Sequence, residues 1–143
     1  MWDKDKAVEY LNSHASDHSL GRCAEYTRKA IEAGGVTLQR HDSAKDYGPS
    51  LTKVNFVRLF ESSPDAFYYH QAGDVAVIQP ITGHPHGHMC MYNGTNWVSD
   101  FVQYRGVYPG PSYRKANPAF AVYRYKPIYD LPDRPKEGSM MLA

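Results

Sequence analysis

Cys23, His88 and Asp100 are the residues of this chain whose types and order suit nucleophilic thiol chemistry. A thiol attacks a carbonyl as the thiolate, so it needs a base to take its proton, and imidazole serves best near neutral pH. A carboxylate on the other ring nitrogen can fix the tautomer and hold the ring. Cys23 stands in Ser19-Leu20-Gly21-Arg22-Cys23-Ala24-Glu25-Tyr26, where a helix is expected to begin. Unpaired N–H groups and the dipole at a helix start favour a thiolate. Gly21 lets the chain turn tightly before it. His88 opens a strand, in Gly87-His88-Met89-Cys90-Met91-Tyr92-Asn93-Gly94, and Asp100 follows in Trp97-Val98-Ser99-Asp100-Phe101. Taken singly, each has a plainer reading: a buried apolar cysteine, a satisfied core histidine, a solvated strand-end carboxylate.

Two neighbouring features compete for these residues. The run His84-Pro85-His86-Gly87-His88 invites a metal site, because alternate strand residues share a face and their imidazoles can converge. Pro85 and Gly87 argue against a regular strand there, and no acidic ligand is near in sequence, so no metal is assigned. Cys90 shares a face with His88. A Cys23–Cys90 bridge would consume the nucleophile, so Cys90 reads as a buried thiol beneath the site.

The elements that must carry these residues follow from periodicity. Asp3 or Asp5 caps a first helix through Ala7, Val8, Tyr10 and Leu11, and a loop follows from Asn12 to Ser19. A second helix runs from Arg22 to Ala33 and stops at Gly34-Gly35. Leu51, Val54, Val57 and Phe60 predict a third, over Ser50 to Glu61. Strands are predicted at Asp74–Gln79, Gly87–Tyr92, Asn96–Val102 and Phe120–Tyr125, with a Tyr/Gly/Pro loop before the last. A two-residue turn at Asn93-Gly94 would set Ser99 opposite His88, so Asp100 would reach that face only through a bulge. Helices first and antiparallel strands second make an α+β domain over residues 1–126. Residues 127–143, with Pro127, Pro132 and Pro135, read as a surface tail.

Composition removes other classes. The 143 residues make one domain with room for a core without staples. A net charge of +1 excludes nucleic acid or an anionic membrane as the main target. Two cysteines make neither a disulfide framework nor a four-cysteine zinc site. No apolar segment is long enough to insert in a membrane, and no signal peptide follows the charged start. Twelve tyrosines suit a surface that stacks on sugar or peptide, and Tyr47, Tyr92, Tyr104 and Tyr108 are the candidate groove residues.

Together the motifs resemble a known family. Gly21-Arg22-Cys23-Ala24-Glu25-Tyr26 is similar to the nucleophile motif of CHAP and NlpC-like cell-wall peptidases. Gly73-Asp74-Val75-Ala76-Val77 resembles their Gly-Asp-aliphatic strand, Gly87-His88 their histidine strand, and Val98-Ser99-Asp100 the strand of their third residue. The order holds over residues 19–103. Ala44-Lys45-Asp46-Tyr47-Gly48-Pro49-Ser50-Leu51 also resembles a segment of compact amidase toxins of type VI secretion systems. The resemblance implies a papain-like fold, with the thiol helix on a small antiparallel sheet, and hydrolysis of a peptidoglycan stem-peptide amide without a cofactor. It implies Cys23 as nucleophile, His88 as base and Asp100 as orienter, although many CHAP domains carry glutamate at the third position. It further implies synthesis in a bacterial cytoplasm, export by a route other than a signal peptide, action in the periplasm and an immunity protein as partner. Phage lysins and tailocin-associated hydrolases fit the same features nearly as well as type VI toxins. The alternatives from other classes are an inactive wall- or partner-binding module of the same fold and a metal hydrolase built on His84, His86 and His88.

Overall fold

The computed structural model describes residues 2–62 and 70–126; the predicted tail lies outside them. Asp3 caps α1 (Lys4–His14), its carboxylate accepting from the N–H groups of Asp5 and Lys6 at 3.1 Å each. The helix runs on into the stretch predicted as a loop. Helix α2 (Cys23–Ala33) packs beside α1 and ends at Gly34, and Gly35 takes the left-handed conformation after it. A short 3-10 turn (Ala44–Asp46) leads into α3 (Gly48–Lys53).

The helix predicted over Ser50–Glu61 is half helix and half strand. Asn55 sits at φ 76°, a left-handed conformation that asparagine tolerates and a continuing helix forbids. Beyond it, β1 (Phe56–Ser62) pairs with the last strand, with a register shift between Arg58 and Phe60. Valine and phenylalanine at spacings of three suit either structure, and pairing with a neighbouring strand decides.

Strands β2 (Val75–Ile78), β3 (His88–Tyr92), β4 (Trp97–Val98), β5 (Val102–Gln103) and β6 (Phe120–Tyr125) complete an antiparallel sheet of order β1-β6-β2-β3-β4-β5. The fold class is α+β, as the sequence predicts. Two corrections matter for the site. Tyr92 pairs with Trp97, not Thr95, because Asn93 Oδ1 accepts the N–H groups of both Thr95 and Asn96 and widens the turn. The single strand predicted over Asn96–Val102 is instead a tight hairpin: β4 ends at Val98, Ser99 to Phe101 turn, and β5 returns with Val102 opposite Val98. A further helix, α4 (Pro111–Ala116), stands where only a loop is predicted, opened by Pro111 and closed by left-handed Asn117.

The sheet buries both faces. Leu11, Ile31, Leu51, Val75, Met89 and Met91 fill the side under α1 and α2. Ala76, Ile78, Cys90, Trp97, Tyr113 and Val122 fill the other. Each large apolar side chain so buried contributes about 1.5–3 kcal/mol. Continuous burial along β2 explains its unbroken Val75-Ala76-Val77-Ile78 run. Beside this run, Asp74 is fully buried and held by Arg124 through two bonds of 2.8 and 2.9 Å, with the Gln71 N–H adding a third. The Gly73-Asp74 motif is therefore structural.

Candidate active site

The α2 N-terminus and the first residue of β3 meet at one cleft. Cys23 and His88 both line it, with His84, Asp100, Phe101 and Tyr113, in a volume of about 470 Å³. Two glycines shape the approach. Gly21 turns at φ 73° just before the helix. Gly87, at φ 71°, brings its backbone against the Ile78 carbonyl, where any side chain would collide, and so sets His88 at the strand start.

His88 is 6% exposed, and its ring is held by Gln103, not by Asp100. Nε2 of His88 lies 2.7 Å from Oε1 of Gln103. The Gln103 amide nitrogen donates to the carbonyls of Val107 at 2.8 Å and Gly106 at 3.2 Å, so its oxygen must face the imidazole. An amide oxygen only accepts; His88 therefore carries its proton on Nε2 and keeps Nδ1 as the basic nitrogen. Periodicity alone does not point to Gln103, because a single strand through Ser99-Asp100 would not bring it to His88. That pair of turn-forming residues was the available signal.

Asp100 does different work from the one expected of it. It is 1% exposed, and its Oδ2 accepts the backbone N–H groups of Leu20 at 2.8 Å and Arg22 at 2.9 Å. Ser99 Oγ donates to its other oxygen, and its own carbonyl accepts from the Ser16 N–H. Asp100 thus fastens the loop that delivers Cys23. It acts on His88 only through its charge, which favours the imidazolium.

Burial dominates both proposed reacting groups. It pushes the Cys23 thiol up to about 11, against the N–H groups of Met89, Ala24 and Cys23 itself, and the Asp100 charge raises it further. The helix start therefore does not by itself yield a resting thiolate. Burial brings His88 down to about 4, although the Gln103 bond and the Asp100 charge pull it up. At neutral pH the two are an uncharged thiol and an uncharged imidazole. Cys90 is a buried free thiol, pushed well up by burial and close to Gln103 Nε2 and the Val107 carbonyl.

The three histidines of the predicted run go to three different partners. His88 bonds Gln103, His86 Nδ1 lies 2.5 Å from Ser43 Oγ, and His84 packs beside the Tyr113 ring. Among the described residues no cluster of His, Cys, Asp or Glu is placed to hold a metal ion.

The predicted tyrosines are also redistributed. Tyr108 is buried, its hydroxyl bonded to Asn117 and Pro118. Tyr92 packs on Trp97, and Tyr104 is 79% exposed; neither they nor Tyr108 lines a cleft at Cys23. Tyr47 borders a second, smaller cleft beside Cys23, but it is buried and its hydroxyl is bonded to the His41 backbone. The tyrosine on the main cleft is Tyr113, from the helix that the sequence did not reveal.

The chain is similar to two solved structures of the type VI effector–immunity complex Tae3–Tai3 from Ralstonia pickettii. The native form is 50% identical, with 87% of this chain and 100% of that chain covered and a TM-score of 0.79. The selenomethionine form is 53% identical, covering 83% and 99%, with a TM-score of 0.76. No protein-family model matches the chain. No curated protein sequence matches it significantly.

Proposed function

The chain belongs to the Tae3 family of type VI secretion effectors, and on that premise we propose that it is a cysteine amidase that hydrolyses an amide of the peptidoglycan stem peptide. The observation that carries the reading is the placement of Cys23 and a Gln103-held His88 on one cleft.

Nδ1 of His88 takes the thiol proton as Cys23 Sγ attacks the amide carbon. The negative charge moves to the carbonyl oxygen, where first-turn N–H groups of α2 can receive it, since Arg22 at the N-cap makes no side-chain bond to them. The C–N bond then breaks, the amine leaves with the proton from His88, and a thioester remains on Cys23. Water loses a proton to His88 and attacks the thioester; the thiolate departs and regains that proton. The steps balance without a metal or cofactor. Because both groups start neutral, proton transfer accompanies attack. Asp100 and Gln103 are positioning residues, one for the Cys23 loop and the other for the imidazole.

Export to the periplasm would bring such an enzyme to its polymer, and a producer cell would stay safe while the protein is cytoplasmic. By analogy with the Tae3–Tai3 complexes, its partner would be an immunity protein that covers the Cys23 cleft. Among the described residues, no helix is long and apolar enough to cross a membrane.

The test is expression in bacteria with and without an added export signal, together with digestion of purified peptidoglycan. Lysis and new peptide ends should require export and Cys23, and Cys23→Ala should abolish both while the protein stays folded. Equal toxicity in the cytoplasm, or of the Cys23→Ala form, would mean a different target.

A further inference from the structure

Cys23 stands between two clefts of opposite character. The larger has Phe101, Pro109, Pro111 and Tyr113 on its walls. The smaller, about 240 Å³, is lined by Arg22, Arg28, Arg40 and His41, with Glu25 and Asp42 as its acidic members. A peptide laid across the thiol would place its two sides in different surroundings.

From this arrangement we propose that the smaller cleft is a carboxylate-binding subsite, which receives a free carboxylate on the substrate residue adjoining the cleaved amide. The proposal rests on the amidase reading above and names what that enzyme selects.

Three observations carry it. Arg28 is largely buried, with a side chain 13% exposed; one terminal nitrogen pairs with Glu32, yet its Nε–H is buried with no partner. An unpaired buried donor is costly and uncommon, and a small shift of the Arg28 side chain toward the cleft it lines would let a bound carboxylate accept from it. Arg40 is exposed on the same cleft and makes no hydrogen bond or ion pair among the described residues, so its planar fork is free for a carboxylate. Glu25 does not compete, because Arg22 holds it with bonds of 2.8 and 2.7 Å and Lys29 with one of 2.8 Å.

The cleft wall is also built in advance. The Tyr47 hydroxyl donates to the His41 carbonyl and accepts from the His41 N–H, at 3.1 and 2.9 Å. His41 Nε2 lies 2.6 Å from Ser50 Oγ, and the Ser43–His86 contact ties this loop to the one before His88. A fixed wall loses little entropy when an anion docks. The segment around Tyr47 thus serves the site from behind.

The experiment uses a stem peptide with its free carboxylates and the same peptide converted to carboxamides. Each is titrated into Cys23→Ala protein by calorimetry, and cleavage by the wild type is followed separately. The carboxylate peptide should bind about tenfold more tightly, the range expected of a charge-assisted hydrogen bond. Arg40→Gln in the Cys23→Ala background should remove that difference, whereas Lys53→Gln, an equal charge change at an exposed residue that lines neither cleft, should keep it. Arg28→Lys, which retains the charge but lacks Nε–H, should narrow it. Equal binding of the two peptides, no binding of either, or a difference that survives Arg40→Gln would overturn the subsite. Failure of the wild type to cleave either peptide would overturn the amidase reading instead, since the binding difference is measured without turnover.

Discussion

Gln103 gives its amide hydrogens to the carbonyls of Gly106 and Val107 and turns its oxygen to Nε2 of His88. The side chain cannot flip without losing those bonds, so the imidazole it holds has one tautomer. Gln103→Ala should lower kcat about a hundredfold, within the range for a disturbed general base, with little change in KM. Gln103→Glu should recover part of kcat and shift the acid limb of the pH–rate profile upward, because a carboxylate favours the imidazolium. A Gln103→Ala enzyme with wild-type kcat and an unmoved profile would remove this role.

The Cys23 thiol should be slow to alkylate at neutral pH. Burial pushes it up to about 11, so iodoacetamide should react at a rate that climbs with pH toward that value. A rate already level below pH 8 would instead show a preformed thiolate–imidazolium pair. Intact mass of labelled protein identifies the reacting cysteine, and Cys90, fully buried, should label only on unfolding.

His88 ties stability to acidity. Its folded value, about 4, lies below the ordinary 6.5. Between these values the unfolded chain binds a proton that the folded chain refuses. Stability is therefore intact above pH 6.5, declines as pH falls through this window and levels off below it. The loss amounts to about 3 kcal/mol. Urea denaturation from pH 7 to pH 4 should show the decline, and His88→Gln should flatten it; identical slopes would exclude His88 as the source.

Arg124, its side chain 23% exposed, grips the fully buried Asp74 carboxylate with two bonds. Asp74→Ala would remove a fully buried carboxylate together with its bonds to Arg124 and to the Gln71 N–H, at a cost of about 2–3 kcal/mol. A fall in the denaturation midpoint, with kcat of the remaining folded enzyme kept, is the expected result. A loss of kcat without a loss of stability would give Asp74 a catalytic part instead.

Local chemistry was enough to locate Cys23 at the start of a helix and His88 at the start of a strand. Alternation and continuous apolar runs marked β2, β3 and β6, and Asp3 and Gly34-Gly35 marked helix ends, because capping and burial act through neighbours in the chain. The sequence could not assign the partner of His88, since that depended on where a short strand stopped. One turn at Ser99–Phe101 sent Asp100 to the Cys23 loop and brought Gln103 to the imidazole. Asn55 ended a helix that the apolar spacing alone would have continued, because strand pairing with β6 outweighed a periodicity shared by both structures. The acid–base state of the site was likewise a tertiary matter. A helix start favours a thiolate, but desolvation in the half-buried pocket of Cys23 pushes its thiol up, and deep burial of His88 in the sheet brings its imidazole down.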